Sequence, residues 1–135
     1  MAGYSCTLLA QKHGIKPGCS ICVIGAPRDY EKLLAPLPKQ VAIAAKPPKE
    51  GADIVHLFVD SLAALEAGLP RARAVMKNEG TLWVSWYKKA AKIPTDVTED
   101  VIRARALAGD LVDVKVCAIS DIWSGLKLVV RKALR

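Results

Sequence analysis

Apolar residues along the chain fall into short runs that alternate with segments of helical spacing. Six runs predict β-strands, over residues 20–24, 41–45, 53–59, 81–86, 111–119 and 126–130. The first run is apolar without a period of two, which is typical of a strand buried on both faces of a parallel sheet. The last two are joined by a short polar turn and predict an antiparallel hairpin.

Helical spacing and capping residues predict four helices between these strands. The first two cover 5–13 and 29–37. The third starts at Asp60 or Ser61, is expected to break near Gly68 because Pro70 follows, and resumes to residue 77 before Gly80 ends it. The fourth is expected to start at Asp96, with Glu99 completing a capping box, and to present Val101, Ile102 and Leu107 as its apolar stripe.

The order of these elements predicts an α/β fold, a three-layer α/β/α sandwich. Its sheet is expected to be mostly parallel and Rossmann-like, with about six strands and a C-terminal antiparallel hairpin, in a single domain over residues 1–135. The connection between the second and third strands, about seven residues (46–52), is too short for a helix. In extended form, however, it reaches roughly 23 Å, enough for a parallel return along a five-residue strand.

Net charge and the composition of individual segments limit the classes of partner and location that we expect, but they do not identify a function. The formal net charge of +7 favours anionic partners, whether nucleotides, nucleic acid or acidic proteins. The first residues carry no apolar secretory segment, and no run reaches membrane-spanning length. We therefore expect a cytoplasmic protein with no membrane partner.

The cysteines predict packing rather than metal or redox chemistry. Cys19 and Cys22 have the C-x-x-C spacing, but three positions along a strand put the two side chains on opposite faces, roughly 10 Å apart. Cys6 and Cys117 supply no second pair with metal-ligand spacing. We expect small buried hydrophobic groups and no metal site.

Three features of the chain resemble the class I S-adenosylmethionine (SAM)-dependent methyltransferase fold in a reduced form. They are the IKPG turn (15–18) entering the first strand, the segment 77–85, and the closing hairpin. Further segments resemble a family of small uncharacterised bacterial proteins, a domain of unknown function: GYS (3–5), VHLFV (55–59), LWVSW (82–86), PTDVTED (94–100), DVKVCA (113–118) and WSGLKLVV (123–130). That second resemblance covers nearly the whole chain and implies the fold, but no activity.

The methyltransferase resemblance implies SAM as a cofactor, and two expected features of its site are altered here. The loop after the first strand should be rich in glycine so that the backbone can approach the ligand, yet this chain has Gly25 followed by Ala26 and Pro27. An acidic residue for the ribose hydroxyls is expected near the end of the second strand, where residues 44–46 read Ala-Ala-Lys.

If the sheet is parallel, its carboxyl ends gather basic and aromatic side chains at one edge, where such folds bind ligands. The last strand is expected beside the fourth, with Trp123 and Ser124 close to Trp86 and Lys88. Cations beside aromatic rings suit a small anionic or nucleotide-like ligand. The candidate ligand-binding residues are Gly25, Arg28, Tyr30, Lys46, Trp86, Lys88, Lys89, Asp121, Trp123 and Ser124.

Packing alone accounts for several of these residues. The lysines after residue 87 are typical of a solvated loop, Trp86 and Trp123 of strand-end packing, and Trp83 of the core. His56 lies mid-strand and is expected to be a hydrogen-bonded core histidine. No nucleophile with a paired base is recognisable, so the sequence leaves the enzyme question open.

Three functions therefore remain in competition. The first is binding of a small anionic or nucleotide-like ligand at the carboxyl edge. The second is a non-enzymatic interaction module that binds a protein or nucleic acid through its basic surface. The third is SAM-dependent methyl transfer. An unprotected edge at the second strand would also allow a homodimer.

Overall fold

The computed structural model describes residues 20–25, 42–44, 51–88, 92–93, 95–119 and 122–131. The helices expected over 5–13 and 29–37 lie outside these residues. The described elements, in chain order, are β1 (Ser20–Ile24), β2 (Ala42–Ala44), β3 (Ala52–Phe58), α1 (Leu62–Val75), β4 (Met76–Tyr87), α2 (Glu99–Ala108), β5 (Leu111–Ala118) and β6 (Trp123–Val130).

The strands form one mixed sheet in the order β2-β1-β3-β4-β6-β5. β1 pairs in parallel with β2 and β3, and β3 pairs in parallel with β4. β6 lies between β4 and β5 and is antiparallel to both. The parallel return after β2, the C-terminal hairpin and the position of the last strand beside the fourth are thus confirmed.

Both described helices cover the same face of the sheet. α1 contacts β1, β3 and β4, α2 contacts β5, and the two helices contact each other. Neither helix is long and apolar enough to cross a membrane, a finding that concerns only the described residues. A second helical layer would come from segments outside the description, so the three-layer sandwich stays a prediction.

The main core lies between these helices and the sheet. Helical spacing brings Leu65, Leu69 and Ala72 of α1 onto the strands, and Ile102 and Ala106 of α2 extend this buried surface. The strand residues that meet them in the core include Val55, Leu57, Leu82, Val84, Trp86, Leu126 and Leu128. Leu107 was expected in the α2 stripe but is 43% exposed. The smaller Ala106 takes the buried position instead.

The opposite face of the central strands carries a buried polar pair. His56 on β3 and Ser85 on β4 are both fully buried and share a hydrogen bond of 2.7 Å between Nε2 and Oγ. Trp83 is fully buried on the same face of β4. The expectations of a hydrogen-bonded core histidine and a core Trp83 are confirmed.

α1 does not break near Gly68, contrary to the prediction. It starts at the Ser61 cap, whose Oγ accepts a hydrogen bond from Ala64 N at 3.1 Å, and runs through Pro70 to Val75. Pro70 removes one helical hydrogen bond, to the carbonyl of Glu66, on a solvent-exposed side where water can bind that carbonyl. Gly68 faces the sheet, where an added Cβ would lie 2.8 Å from Cδ1 of Leu57. It allows close packing of the helix rather than ending it.

β4 begins at Met76, five residues earlier than expected, and Gly80 lies within it. Ala52 pairs with Met76 but Ile54 pairs with Thr81, so residues 77–80 bulge opposite Asp53. An added Cβ at Gly80 would lie 2.9 Å from the carbonyl oxygen of Asp53 and 3.0 Å from that of Lys77. Asp53 also accepts hydrogen bonds from Lys77 Nζ at 2.7 Å and from Ser20 N at 2.9 Å. The bulge thus joins β4 to the start of β1 and β3.

We expect Gly80→Ala to lower the free energy of unfolding by about 1–3 kcal/mol, because the methyl group meets backbone oxygens that can move only with the strands. Urea unfolding followed by circular dichroism measures the change. Gly109→Ala is the matched control, since its Cβ would have a nearest neighbour at 3.7 Å. Equal effects of the two substitutions would contradict this account of the bulge.

Candidate functional site

A cleft of about 700 Å³ lies where the carboxyl end of β4, the amino end of β6 and the amino end of α2 meet. This is the carboxyl edge of the parallel strands, as the sequence predicted for a site. The residues that line the cleft are Trp86, Tyr87, Lys88, Ile93, Thr95, Val97, Thr98, Glu99, Asp100 and Ser124.

Antiparallel pairing with β6 fixes the β4 side of the cleft. Trp86 lies opposite Ser124, and just beyond the strand Lys88 N donates a 2.8 Å hydrogen bond to the carbonyl oxygen of Ile122. The sequence had placed Ser124 near Trp86 and Lys88, and this arrangement follows from the register. Trp86 is only 8% exposed, so it presents a small part of its ring to the cleft.

Trp123 does not share this wall. It is opposite Tyr87 in the register, and the two rings stack at 4.5 Å with an interplanar angle of 25°. Phe58 meets Trp123 edge-on at 4.9 Å and itself stacks on His56 at 4.2 Å. Because side chains alternate along a strand, this aromatic stack lies on the sheet face opposite Trp86. The single aromatic site expected from the sequence is therefore divided between two faces.

Thr98, not Asp96, caps α2. Its Oγ1 accepts a hydrogen bond from Val101 N at 3.2 Å, and Glu99 and Asp100 occupy the first turn. Carboxylates are favoured in this position by the helix dipole. The predicted capping box is wrong because Glu99 is the first helical residue rather than the third.

Asp96 instead binds the start of the other helix. Its Oδ1 accepts a hydrogen bond from Leu62 N at 2.7 Å, while Thr95 Oγ1 donates to the carbonyl oxygen of Asp60 at 2.9 Å. Val97, the next residue, is buried in the core. Segment 95–98 therefore fastens one wall of the cleft to the amino end of α1.

The α2 wall is negatively charged. Arg103 donates hydrogen bonds to Glu99, Asp100 and Asp113, so one guanidinium is shared by three carboxylates. The hydrogen bonds that Arg103 donates to Glu99 and then to Asp113 raise the pKa of Arg103 above its ordinary value, and it stays charged. The three carboxylates and the guanidinium together carry a net charge of −2. Lys88 supplies the positive charge on the facing wall.

The predicted site residues are thus only partly brought together. Trp86, Lys88 and Ser124 line the cleft, whereas Trp123 belongs to the aromatic stack and Gly25 ends β1. The remaining candidates lie outside the described residues: Arg28, Tyr30, Lys46, Lys89 and Asp121.

Sequence reasoning missed the α2 wall. Glu99 was assigned to a capping box with Asp96, and neither Thr98 nor Asp100 was considered as a lining residue. The signal was present, because a threonine followed directly by two acidic residues is typical of a cap and first helical turn. These residues share the cleft with Lys88 because of where α2 packs on the sheet. The spacing of residues along the sequence does not determine that packing.

Gly25 has a backbone reason to be glycine. Its φ is +72°, and an added Cβ would lie 2.9 Å from the carbonyl oxygen of Phe58 on the neighbouring β3. Close packing of the two strand ends thus explains this residue without a ligand.

The described residues suggest no metal centre. They contain no group of three or more His, Cys, Asp or Glu side chains that could hold a metal ion. Cys22 is buried in β1, and burial raises the pKa of its thiol. Cys6 and Cys19 fall outside the description.

Solved structures show which fold this is. A ribosomal protein L11 methylase from Lactobacillus delbrueckii subsp. bulgaricus superimposes with a TM-score of 0.55 at 9% identity, covering 89% of this chain and 73% of that chain. LepI in complex with SAM gives a TM-score of 0.48 at 15% identity, covering 91% of this chain and 39% of that chain. The fold is a reduced, methyltransferase-like α/β fold.

No family model matches the chain, and no curated protein matches it. Membership of the small bacterial family that the sequence resembles therefore stays a prediction. At 9% identity the likeness to the methylase concerns the fold, and the activity has to be argued from the site.

The described residues do not supply a SAM site of the expected kind. Gly25 provides one position of close backbone approach, but its strand packing already requires glycine there. The described part of β2 is Ala42–Ala44 and contains no acidic residue for a ribose.

We expect Asp96→Ala to lower the free energy of unfolding by about 1 kcal/mol, because it leaves the Leu62 N–H at the start of α1 without its carboxylate. Chemical denaturation measures the loss. Asp60→Ala is the control, since it removes a neighbouring carboxylate that makes no side-chain hydrogen bond to any described residue. A loss as large for the control would show that charge near the helix, rather than the specific bond, is responsible.

Proposed function

We propose that this protein binds a small nucleotide-like ligand, planar at one end and anionic at the other, in the cleft between β4, β6 and α2. The observation that carries the proposal is the cleft itself, about 700 Å³ in volume with apolar and charged walls. Small-molecule sites are typically concave and of about 300–1,000 Å³, with polar groups that fix the orientation of the ligand.

The charges of the two walls favour one orientation of such a ligand. An anionic group is repelled by the carboxylates of α2 and attracted by Lys88, so it belongs on the β4 side. Hydroxyl groups such as those of a ribose can donate to Glu99 or Asp100, which accept but do not donate. A planar ring then packs against the apolar side chains of Ile93 and Val97 and the exposed part of Trp86.

Methyl transfer is the second candidate, and one observation favours it. The fold is similar to that of a ribosomal protein L11 methylase over 89% of this chain. It ranks second because the described strand ends lack the acidic ribose partner that the resemblance implies. A SAM-binding protein would be expected to bind SAM and S-adenosylhomocysteine in preference to ATP or NAD.

Titration of the protein with ATP, NAD, SAM and S-adenosylhomocysteine, followed by tryptophan fluorescence, tests the proposal. We expect saturable binding of ATP or NAD that Lys88→Gln weakens about tenfold, because a charge-assisted hydrogen bond is worth about 1.5–3 kcal/mol. Lys92→Gln is the matched control. It removes an exposed lysine from the same loop that does not line the cleft.

The outcomes separate the candidates. Binding of the nucleotides that is equally strong in both variants would place the ligand elsewhere and contradict the proposed site. A response to SAM and S-adenosylhomocysteine alone would make methyl transfer the leading function. No response to any of the four would refute small-ligand binding of this class.

A further inference from the structure

Two lysines face each other on the C-terminal hairpin, away from the cleft. Lys115 on β5 is directly opposite Lys127 on β6 in the antiparallel register. Residues opposed in this way have Cβ atoms about 4.5–5.5 Å apart, and like charges in such a pair are destabilising. Packing of the hairpin alone therefore does not explain why two ammonium groups stand opposite each other.

The two side chains lie on the sheet face that the described helices leave uncovered. Leu126 and Leu128 flank Lys127 and are fully buried in the core with α1 and α2. Alternation along β6 points Lys127 to the other face, where it is opposite Trp83 in the β4 register. The cleft residues Trp86 and Ser124 face the helices, so the lysine pair and the cleft are on different faces.

A bulge removes the nearest acidic residue from this pair. Regular alternation would put Asp113 and Lys115 on the same face of β5, two positions apart. The register shifts between these residues, and Asp113 instead accepts a 3.0 Å hydrogen bond from Arg103 on α2, the helix side. Neither lysine has a carboxylate partner among the residues that the structure describes.

The surroundings of Lys127 disfavour its charged form. Its side chain is partly buried, whereas Lys115 is exposed. Burial lowers the pKa of Lys127, and the charge of Lys115 lowers it further. An anion between the two ammonium groups would oppose both effects, since a nearby negative charge favours the charged form of each lysine.

We infer that Lys115 and Lys127 form a binding site for a phosphate group on the face of the hairpin opposite the described helices. A phosphate carries about −1.5 to −2 charges at neutral pH and several acceptor oxygens, enough to accept hydrogen bonds from both ammonium groups at once. The exposed side of Lys115 gives such a group access from solvent. The site is independent of the ligand proposed for the cleft.

Binding of pyrophosphate tests the site, measured by calorimetry at constant ionic strength against chloride. Wild-type protein is expected to bind, and Lys115→Met and Lys127→Met are each expected to weaken binding at least about tenfold. Lys92→Met is the control, an exposed lysine elsewhere whose loss should change the affinity by less than about twofold. Because Lys115 is exposed, its variant keeps the test valid even if Lys127→Met folds poorly.

A second measurement and a second probe complete the test. In NMR spectra of labelled lysine, pyrophosphate should shift the side-chain signals of Lys115 and Lys127 and raise the pKa of Lys127. A single-stranded oligonucleotide distinguishes the source of the phosphate. Binding of it that depends on both lysines and falls steeply with salt would indicate a nucleic-acid backbone. The inference would be overturned if neither probe binds, or if binding is unchanged by both lysine substitutions. Lys88→Gln, in the cleft, should leave pyrophosphate binding unaffected.

Discussion

The antiparallel pairing of β4 with β6 is the interaction on which the cleft and the aromatic stack both depend. β4 pairs in parallel with β3 on one side and antiparallel with β6 on the other. That reversal brings the amino end of β6 to the carboxyl end of β4. Trp86 and Ser124 then meet on the helix face, and Tyr87 and Trp123 meet on the other. One register thus assigns neighbouring residues to two different environments.

Segment 95–98 converts this strand edge into a cleft. It is held by hydrogen bonds from Thr95 and to Asp96 at the start of α1, and by the buried side chain of Val97. The same segment ends in the Thr98 cap, which sets where α2 begins and where its carboxylates stand. The position of the acidic wall is therefore coupled to the packing of α1 on the sheet.

Charged side chains of the described residues are distributed differently on the two faces of the sheet. The net charge of +7 suggested a basic ligand-binding edge, yet the described cleft has Lys88 opposite a carboxylate cluster. Two cations with no carboxylate partner among the described residues lie instead on the other face of the sheet, at Lys115 and Lys127. A charge total predicts affinity for anions but does not say which surface binds them, because strand alternation and helix packing distribute the side chains.

Local patterns in the sequence determined the strands, the hairpin, a start of α1 at Asp60 or Ser61 and the buried His56, because each depends on residues close in the chain or on apolar content alone. Tertiary structure decided what local rules got wrong. Packing on Leu57 and its neighbours keeps α1 continuous through Pro70, and the bulge at 77–80 makes Gly80 a strand residue. Asp96 binds a backbone amide 34 positions away, which no capping rule could assign. Such partners are chosen by topology, since only the folded sheet brings distant segments within hydrogen-bonding distance.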